Sequence, residues 1–359
     1  MNTYKFSNHT GINFTKELKE SVNQYFAKKN ISKSGDHRIV IKSAVMLSMF
    51  LVPLIILNTG LIASVPLLFV LYLISGLGMA GIGMSVMHDA LHGSFSNKKS
   101  INKLMGWSIY LIGASPTVWK IQHNVLHHTY TNIDEADDDL NVPGVLRFSP
   151  DQNRYWVHKF QFVYAWVLYS LMTLIWVTTR DFTRLHRYSK LGLVKSSKEY
   201  NRILMSAIFW KVFYFSYALA LPLVMVPLAW WIIVVAFFCM HFITGMILSV
   251  IFQMGHIMPS SDFPQPDENG LIGQNWSIHQ LATTCNFAPK NKLLSWYIGG
   301  LNYQIEHHLM PHICHVHYKE ISKIVKQTAE KYGIPYHTKS TLTAALRSHT
   351  DMLYHLGRV

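Results

Sequence analysis

Half of the twenty histidines in this 359-residue chain fall in four short runs. HDALH occupies 88–92, HNVLHH 123–128, QIEHH 304–308 and HICHVH 312–317. On an α-helix, residues i and i+4 share a face. His88 with His92, and His123 with His127, are therefore expected to aim both imidazoles at one centre. His128 and His308 each follow another histidine and sit about 100° round from it, which suits a second centre close by. A single histidine is ordinarily a satisfied polar side chain. Three spaced clusters call for a common purpose, and metal ligation is a principal use of neutral imidazole.

The donor set narrows the metal. Structural zinc saturates at about four ligands, commonly with cysteine among them. The three cysteines here, Cys239, Cys285 and Cys314, form no CxxC pair and indicate neither a disulfide framework nor a thiolate site. About eight imidazoles without a thiolate point to two first-row metals of the iron type. Haem would need paired axial histidines facing each other across a helix bundle, which HxxxHH does not offer. Non-haem iron brings dioxygen chemistry able to break an unactivated C–H bond.

The elements that must carry these residues are apolar. Half the chain is hydrophobic and 14% is charged, and residues 43–87 and 212–261 contain no Asp, Glu, Lys or Arg. A bilayer crossing takes about 20 apolar helical residues, so each block accommodates two crossings. Asn58-Thr59-Gly60 interrupts the first block, and Pro222 with Pro227 the second. The expected fold is an all-α integral membrane protein with two transmembrane helical hairpins, 39–58 with 62–87 and 206–226 with 229–252. That makes four crossings beneath a cytoplasmic helical cap. The stretch 160–179 is also uncharged, but crossing there would divide the basic segments between compartments. It is assigned to the interface, where its tryptophans and tyrosine are at home.

Orientation follows from the 32 Lys and Arg, 8 of them in 1–42, 15 in 88–211 and 9 after 253. Both hairpin turns have none, so the termini, the middle segment and the histidine runs are expected on the cytoplasmic side of a bacterial inner membrane. His88 then emerges at the boundary, as does His256 in IFQMGH, while His241 lies mid-helix, about 22 Å short of His256. His241 is read as a structural residue. The net charge of +13 reflects this topology and a possible acidic partner or anionic lipid, not nucleic acid. GLGMAG (76–81) fits GxGxxG, but it lies inside an apolar helix and marks close helix packing instead. Amphipathic surface helices are expected at 14–30, through Phe14, Leu18, Val22 and Phe26, and at 319–332, through Ile321, Ile324, Val325 and Tyr332. One domain over 1–359 is the expected organisation.

HDALH, HNVLHH and QIEHH, in this order around two apolar hairpins, resemble the three histidine boxes of the membrane fatty acid desaturase family. The likeness extends through NWSIHQLATTCNF and LNYQIEHHLMPHICHVHY and covers about residues 60–325. Gln304 at the head of the third box is similar to front-end and bacterial acyl-lipid members. Eukaryotic front-end members carry a fused b-type cytochrome domain with an HPGG motif. This sequence has none, so a separate ferredoxin-like protein or b-type cytochrome is expected to deliver electrons.

The resemblance implies a diiron oxidoreductase that uses dioxygen and two electrons to place a cis double bond in a fatty acyl chain. The chain could be carried as acyl-lipid, acyl-CoA or on acyl carrier protein. The resemblance also implies His88, His92, His123, His127, His128, His256, His307 and His308 as iron ligands. Gln304, His279 and His315 follow as further ligands or supporting groups. Asp89, Glu306, Asn302 and the run Asp137-Asp138-Asp139 are candidates to hold ligand imidazoles. The acyl chain is expected near Trp119. Competing readings are a hydroxylase or ketolase on the same scaffold, which adds oxygen instead of removing hydrogen, and more remotely a metal transporter or a membrane haem protein.

Overall fold

The computed structural model describes residues 4–7, 11–140, 142 and 144–359. Helices dominate, and the strands are two parallel two-residue pairings, Lys5–Phe6 with Leu271–Ile272 and Asn286–Phe287 with Thr338–Lys339. Among the described residues, five helical stretches are long and apolar enough to cross a membrane: His37–Leu57, Val65–His92, Trp156–Lys190, Ser197–Met225 and Trp230–His256. Four correspond to the expected hairpin arms. The fifth contains the stretch assigned to the interface, extended to 35 residues.

The chain folds as two compact units, one of 1–35, 122–165 and 251–359, the other of 36–121 and 166–250. In the second unit, small residues let helices approach backbone to backbone. A Cβ on Gly78 would lie 2.4 Å from Phe50 N, and one on Gly76 2.7 Å from Met240 O. The GxGxxG pattern is thus a packing face. Ser75 Oγ donates to Phe50 O and Thr244 Oγ1 to Gly76 O, so the polar side chains on these apolar helices are satisfied by backbone across the contact. His241 is satisfied too. Its Nε2 lies 2.7 Å from the Tyr214 hydroxyl and its Nδ1 3.2 Å from Thr173 Oγ1.

In the first unit, helix Ile12–Lys29 buries Phe14, Leu18, Val22 and Phe26, the expected face. They share a core with Ile321 and Val325 of helix Tyr318–Lys331 and with Ile305 and Leu309 of the third box. An apolar stripe at helical spacing therefore supports the segment carrying QIEHH from behind. Among the described residues Cys239, Cys285 and Cys314 form no disulfide.

Candidate metal centre

The second box does not sit on an α-helix. Lys120–His127 is a π-helix, followed by an α-helical turn His128–Tyr130. Wider i→i+5 winding brings residues five apart into register, and this regroups the histidines. His123 Nε2 lies 3.3 Å from His128 Nε2, which in turn lies 3.0 Å from His307 Nε2. A second group joins His127, His256 and His308, each offering a ring nitrogen within 4.8 Å of the others. The expected His123–His127 pair thus contributes its Nε2 side to different groups, while both Nδ1 atoms turn towards Asp139, at 4.0 and 3.8 Å.

The π-helix frees backbone carbonyls, and side chains take them up. Trp276 Nε1 and Gln280 Nε2 both donate to His128 O, at 3.2 and 3.3 Å, and Thr131 Oγ1 donates to His127 O at 2.7 Å. The outer nitrogens of three ligand candidates, His127, His308 and His307, are held as well. His127 Nδ1–H donates to the Asp137 carboxylate at 3.0 Å, and Asp137 also accepts from the backbone N–H of Asn132 and Asp139. Burial works against charge on His127, but Asp137 and Asp139 outweigh it and raise the pKa of the imidazole. His308 Nδ1–H donates to Gln280 Oε1 at 2.8 Å, and His307 Nδ1 hydrogen-bonds with the Tyr318 hydroxyl at 3.2 Å. Asn132 Nδ2 donates to His256 O, tying the end of Trp230–His256 to the loop after the second box.

These groups fit first-row metal ions. Imidazole nitrogens about 2.1 Å from a shared ion stand about 3.0–3.4 Å apart, which is the spacing of His128 Nε2 from those of His123 and His307. His127 Nε2 is buried with no hydrogen-bond partner, an arrangement natural proteins avoid unless the atom has another role. Fixing Nδ1 on a carboxylate or amide oxygen leaves Nε2 with its lone pair inward, as a metal ligand requires. The first box lies in the second unit. On helix Met87–His92 the His88 and His92 rings are 4.7 Å apart, and Trp119 packs edge-on to both at 5.7 and 5.8 Å. Asp89 Oδ1 stands 3.5 Å from His88 Nδ1.

The remaining candidates make contacts of their own. Glu306 accepts hydrogen bonds from Asn286 Nδ2 and the Tyr336 hydroxyl, and burial pushes its carboxyl up to about 7. It braces the third box through the chain, not through an imidazole. Asn302 Nδ2 donates to Ala288 O. The His279 ring packs 5.0 Å from Phe6 and burial pushes its pKa down to about 3, so it is neutral. His315 packs its Cβ against Gly300. Gln304 lies on the bare backbone of Gly255, where a Cβ would come 2.5 Å from its Cγ.

Gln280, Trp276 and Tyr318 hold the site without having been singled out. Trp276 and Gln280 are four apart on helix Trp276–Ala282 and share a face. That spacing was the available signal, and the imidazole drew attention instead. Replacing Gln280 by Leu is expected to weaken iron binding about 10–100-fold, read as the ferrous iron concentration needed for half-maximal activity.

A fatty acid desaturase family model matches residues 64–340. The chain is 32% identical over 98% of its length to an sn-1 linoleoyl-lipid 6-desaturase of Arthrospira platensis, covering 94% of that protein. It is 31% identical over 99% of its length to the protein of that name from Synechocystis sp., covering 98% of it. An acyl-lipid (8-3)-desaturase of Physcomitrium patens is 32% identical over 99% of this chain and 74% of its own. The chain belongs to the fatty acid desaturase family. It is a membrane oxidoreductase of acyl chains.

Proposed function

We propose that this enzyme takes an acyl chain carried on a membrane lipid and removes one hydrogen from each of two adjacent carbons, leaving a cis double bond. The balance is –CH2–CH2– plus dioxygen, two electrons and two protons, giving –CH=CH– and two waters. Two iron ions, when bound, supply the oxidant. Their proposed ligands are the histidines of the first unit, His128 with its neighbours His123 and His307, and the group His127, His256 and His308, together with His88 and His92 by family resemblance. Gln304, His279 and His315 are left as supporting residues. The observation that carries this reading is the pair of buried histidine groups in which the outer nitrogens of His127, His308 and His307 are held by Asp137, Gln280 and Tyr318. Those partners orient the rings and exclude competing proton positions. The acyl-lipid form of substrate follows the names of the relatives.

The same grouping bears on topology. His127 and His256 share one group, so the chain between them crosses the membrane an even number of times. Three helices in that interval are long enough to cross. We therefore read Ser197–Met225 and Trp230–His256 as the crossing pair. Trp156–Lys190, with Arg154 and Lys159 near one end and Arg180, Arg184, Arg187 and Lys190 near the other, adds no net crossing. With His37–Leu57 and Val65–His92, four crossings result, the termini and site facing the cytoplasm in one functional domain.

Expression in a host lacking polyunsaturated lipids, followed by profiling of fatty methyl esters and intact lipids, tests the activity. A product two mass units lighter on a lipid-bound chain is expected; a gain of sixteen identifies the hydroxylase or ketolase alternative. We assign electron delivery to a separate acidic carrier. Lys98 and Lys99 are exposed just beyond the first box, and exchanging both for glutamate is expected to slow reduction more at low than at high ionic strength. Reduction rates that ignore salt in both proteins would remove the electrostatic docking.

A further inference from the structure

The second unit buries one ion pair that no metal group uses. Lys211 lies within Ser197–Met225, a helix apolar enough to cross, and Asp181 within Trp156–Lys190. Both are almost fully buried, with Lys211 Nζ 2.8 Å from Asp181 Oδ2. An ammonium has three donors, and here all are used. Besides Asp181, Nζ donates to Gly113 O and Trp176 O, each at 2.9 Å. Asp181 Oδ2 also accepts from the backbone N–H of Ser115 at 3.1 Å. The pair therefore grips one turn from both sides, at a carbonyl and at an amide two residues on.

That turn cannot satisfy itself. Gly113 has φ +75°, and a Cβ there would lie 3.0 Å from the Tyr214 ring and 3.1 Å from Val177. Buried backbone groups away from water need partners. Charge burial is a costly way to supply them, because well-packed apolar residues are usually at least as stabilising as a buried ion pair. What the pair adds is direction. The turn leads directly into Pro116–Trp119, with Pro116 at the first helical position and Ser115 as its cap. Trp119 closes that single helical turn, and its indole is the group packed on His88 and His92.

We propose that the buried Asp181–Lys211 pair is a positioning device that locks the Gly113–Ser115 turn and so holds Trp119 against the His88 and His92 rings. This rests on the reading of His88 and His92 as iron ligands. Neither Asp181 nor Lys211 touches substrate or metal; both act through the turn.

The test is a cycle on the full enzyme in detergent: Asp181→Asn with Lys211→Met, Trp119→Phe, and all three together. Removing both charges avoids stranding one of them, and Asp181→Asn alone, which keeps volume and an acceptor, serves if the pair of changes prevents folding. Hydrogen exchange is followed over residues 112–121, with iron content, kcat and KM. The charge-free enzyme is expected to keep its iron and KM. Its amides at 114–119 should exchange about tenfold faster, and kcat should fall about tenfold. Trp119→Phe should lose a similar factor, and the combination about tenfold, not a hundredfold, because the changes act through one group. Multiplying losses, or unaltered exchange across the turn, would overturn the proposal. Full iron in a His92→Ala enzyme would instead defeat the ligand reading while leaving the exchange result standing.

Discussion

A His127→Ala enzyme is expected to insert in membranes at normal levels, to lose iron, and to turn over substrate at less than about 1% of the normal rate. The reason lies in where His127 stands. Its Nε2 is buried without a hydrogen-bond partner, and it shares a group with His256 and His308. Its Nδ1 is anchored on Asp137. That contact, at 3.0 Å, is shorter than the 3.5 Å between His88 Nδ1 and Asp89. Removing the ring leaves Asp137 buried with only its backbone donors, at a cost of about 1–3 kcal/mol. The thermal midpoint should therefore fall, but the apolar helices that insert are untouched. Membrane fractionation, bound iron and fatty ester profiling on one preparation check all three outcomes. Normal iron and turnover would remove His127 from the ligand set.

Asp137→Asn is expected to separate iron binding from catalysis. Asparagine keeps the volume and one acceptor, but it places an amide donor where Asp137 now accepts from His127 Nδ1–H, Asn132 N–H and Asp139 N–H. One of those three loses its partner and the imidazole loses its negative neighbour. Outer partners of this kind are worth about 10–100-fold in metal affinity. The variant should therefore need about 10–100-fold more ferrous iron for half-maximal activity, and recover much of its turnover when iron is in excess. His127→Ala should show no such recovery. If Asp137→Asn titrates like the unmodified enzyme, the carboxylate is a packing residue only.

The parts legible from sequence were those set by composition and simple periodicity. Uncharged stretches marked four of the helices long enough to cross a membrane, and Phe14, Leu18, Val22 and Phe26 marked the buried face of the first helix. Glycines 76 and 78 were readable as contact points, because an apolar helix offers them nothing else to do. The histidine boxes were legible as ligand material, yet their grouping was not. Helical spacing paired His123 with His127, whereas the π-helix places His123 with His128.

That winding depends on distant residues. Trp276 and Gln280 must arrive to satisfy the His128 carbonyl, and no local pattern announces a partner 150 positions away. The acidic candidates show the same limit. Asp137 reached a ligand imidazole, while Glu306, adjacent to two histidines, was captured by Asn286 and Tyr336. The length of helix Trp156–Lys190 was underestimated because charge bookkeeping sees only its ends. Its interior contact, Thr173 Oγ1 donating to His241 O, is a tertiary fact.

Iron counting on purified, fully loaded enzyme tests the paired-metal centre most directly, provided Mössbauer spectroscopy accompanies it. Two irons per chain, in nitrogen-rich environments and both lost when His128 and His308 are replaced together, is the predicted result. A preparation that is fully active with one iron, or with none, would contradict it.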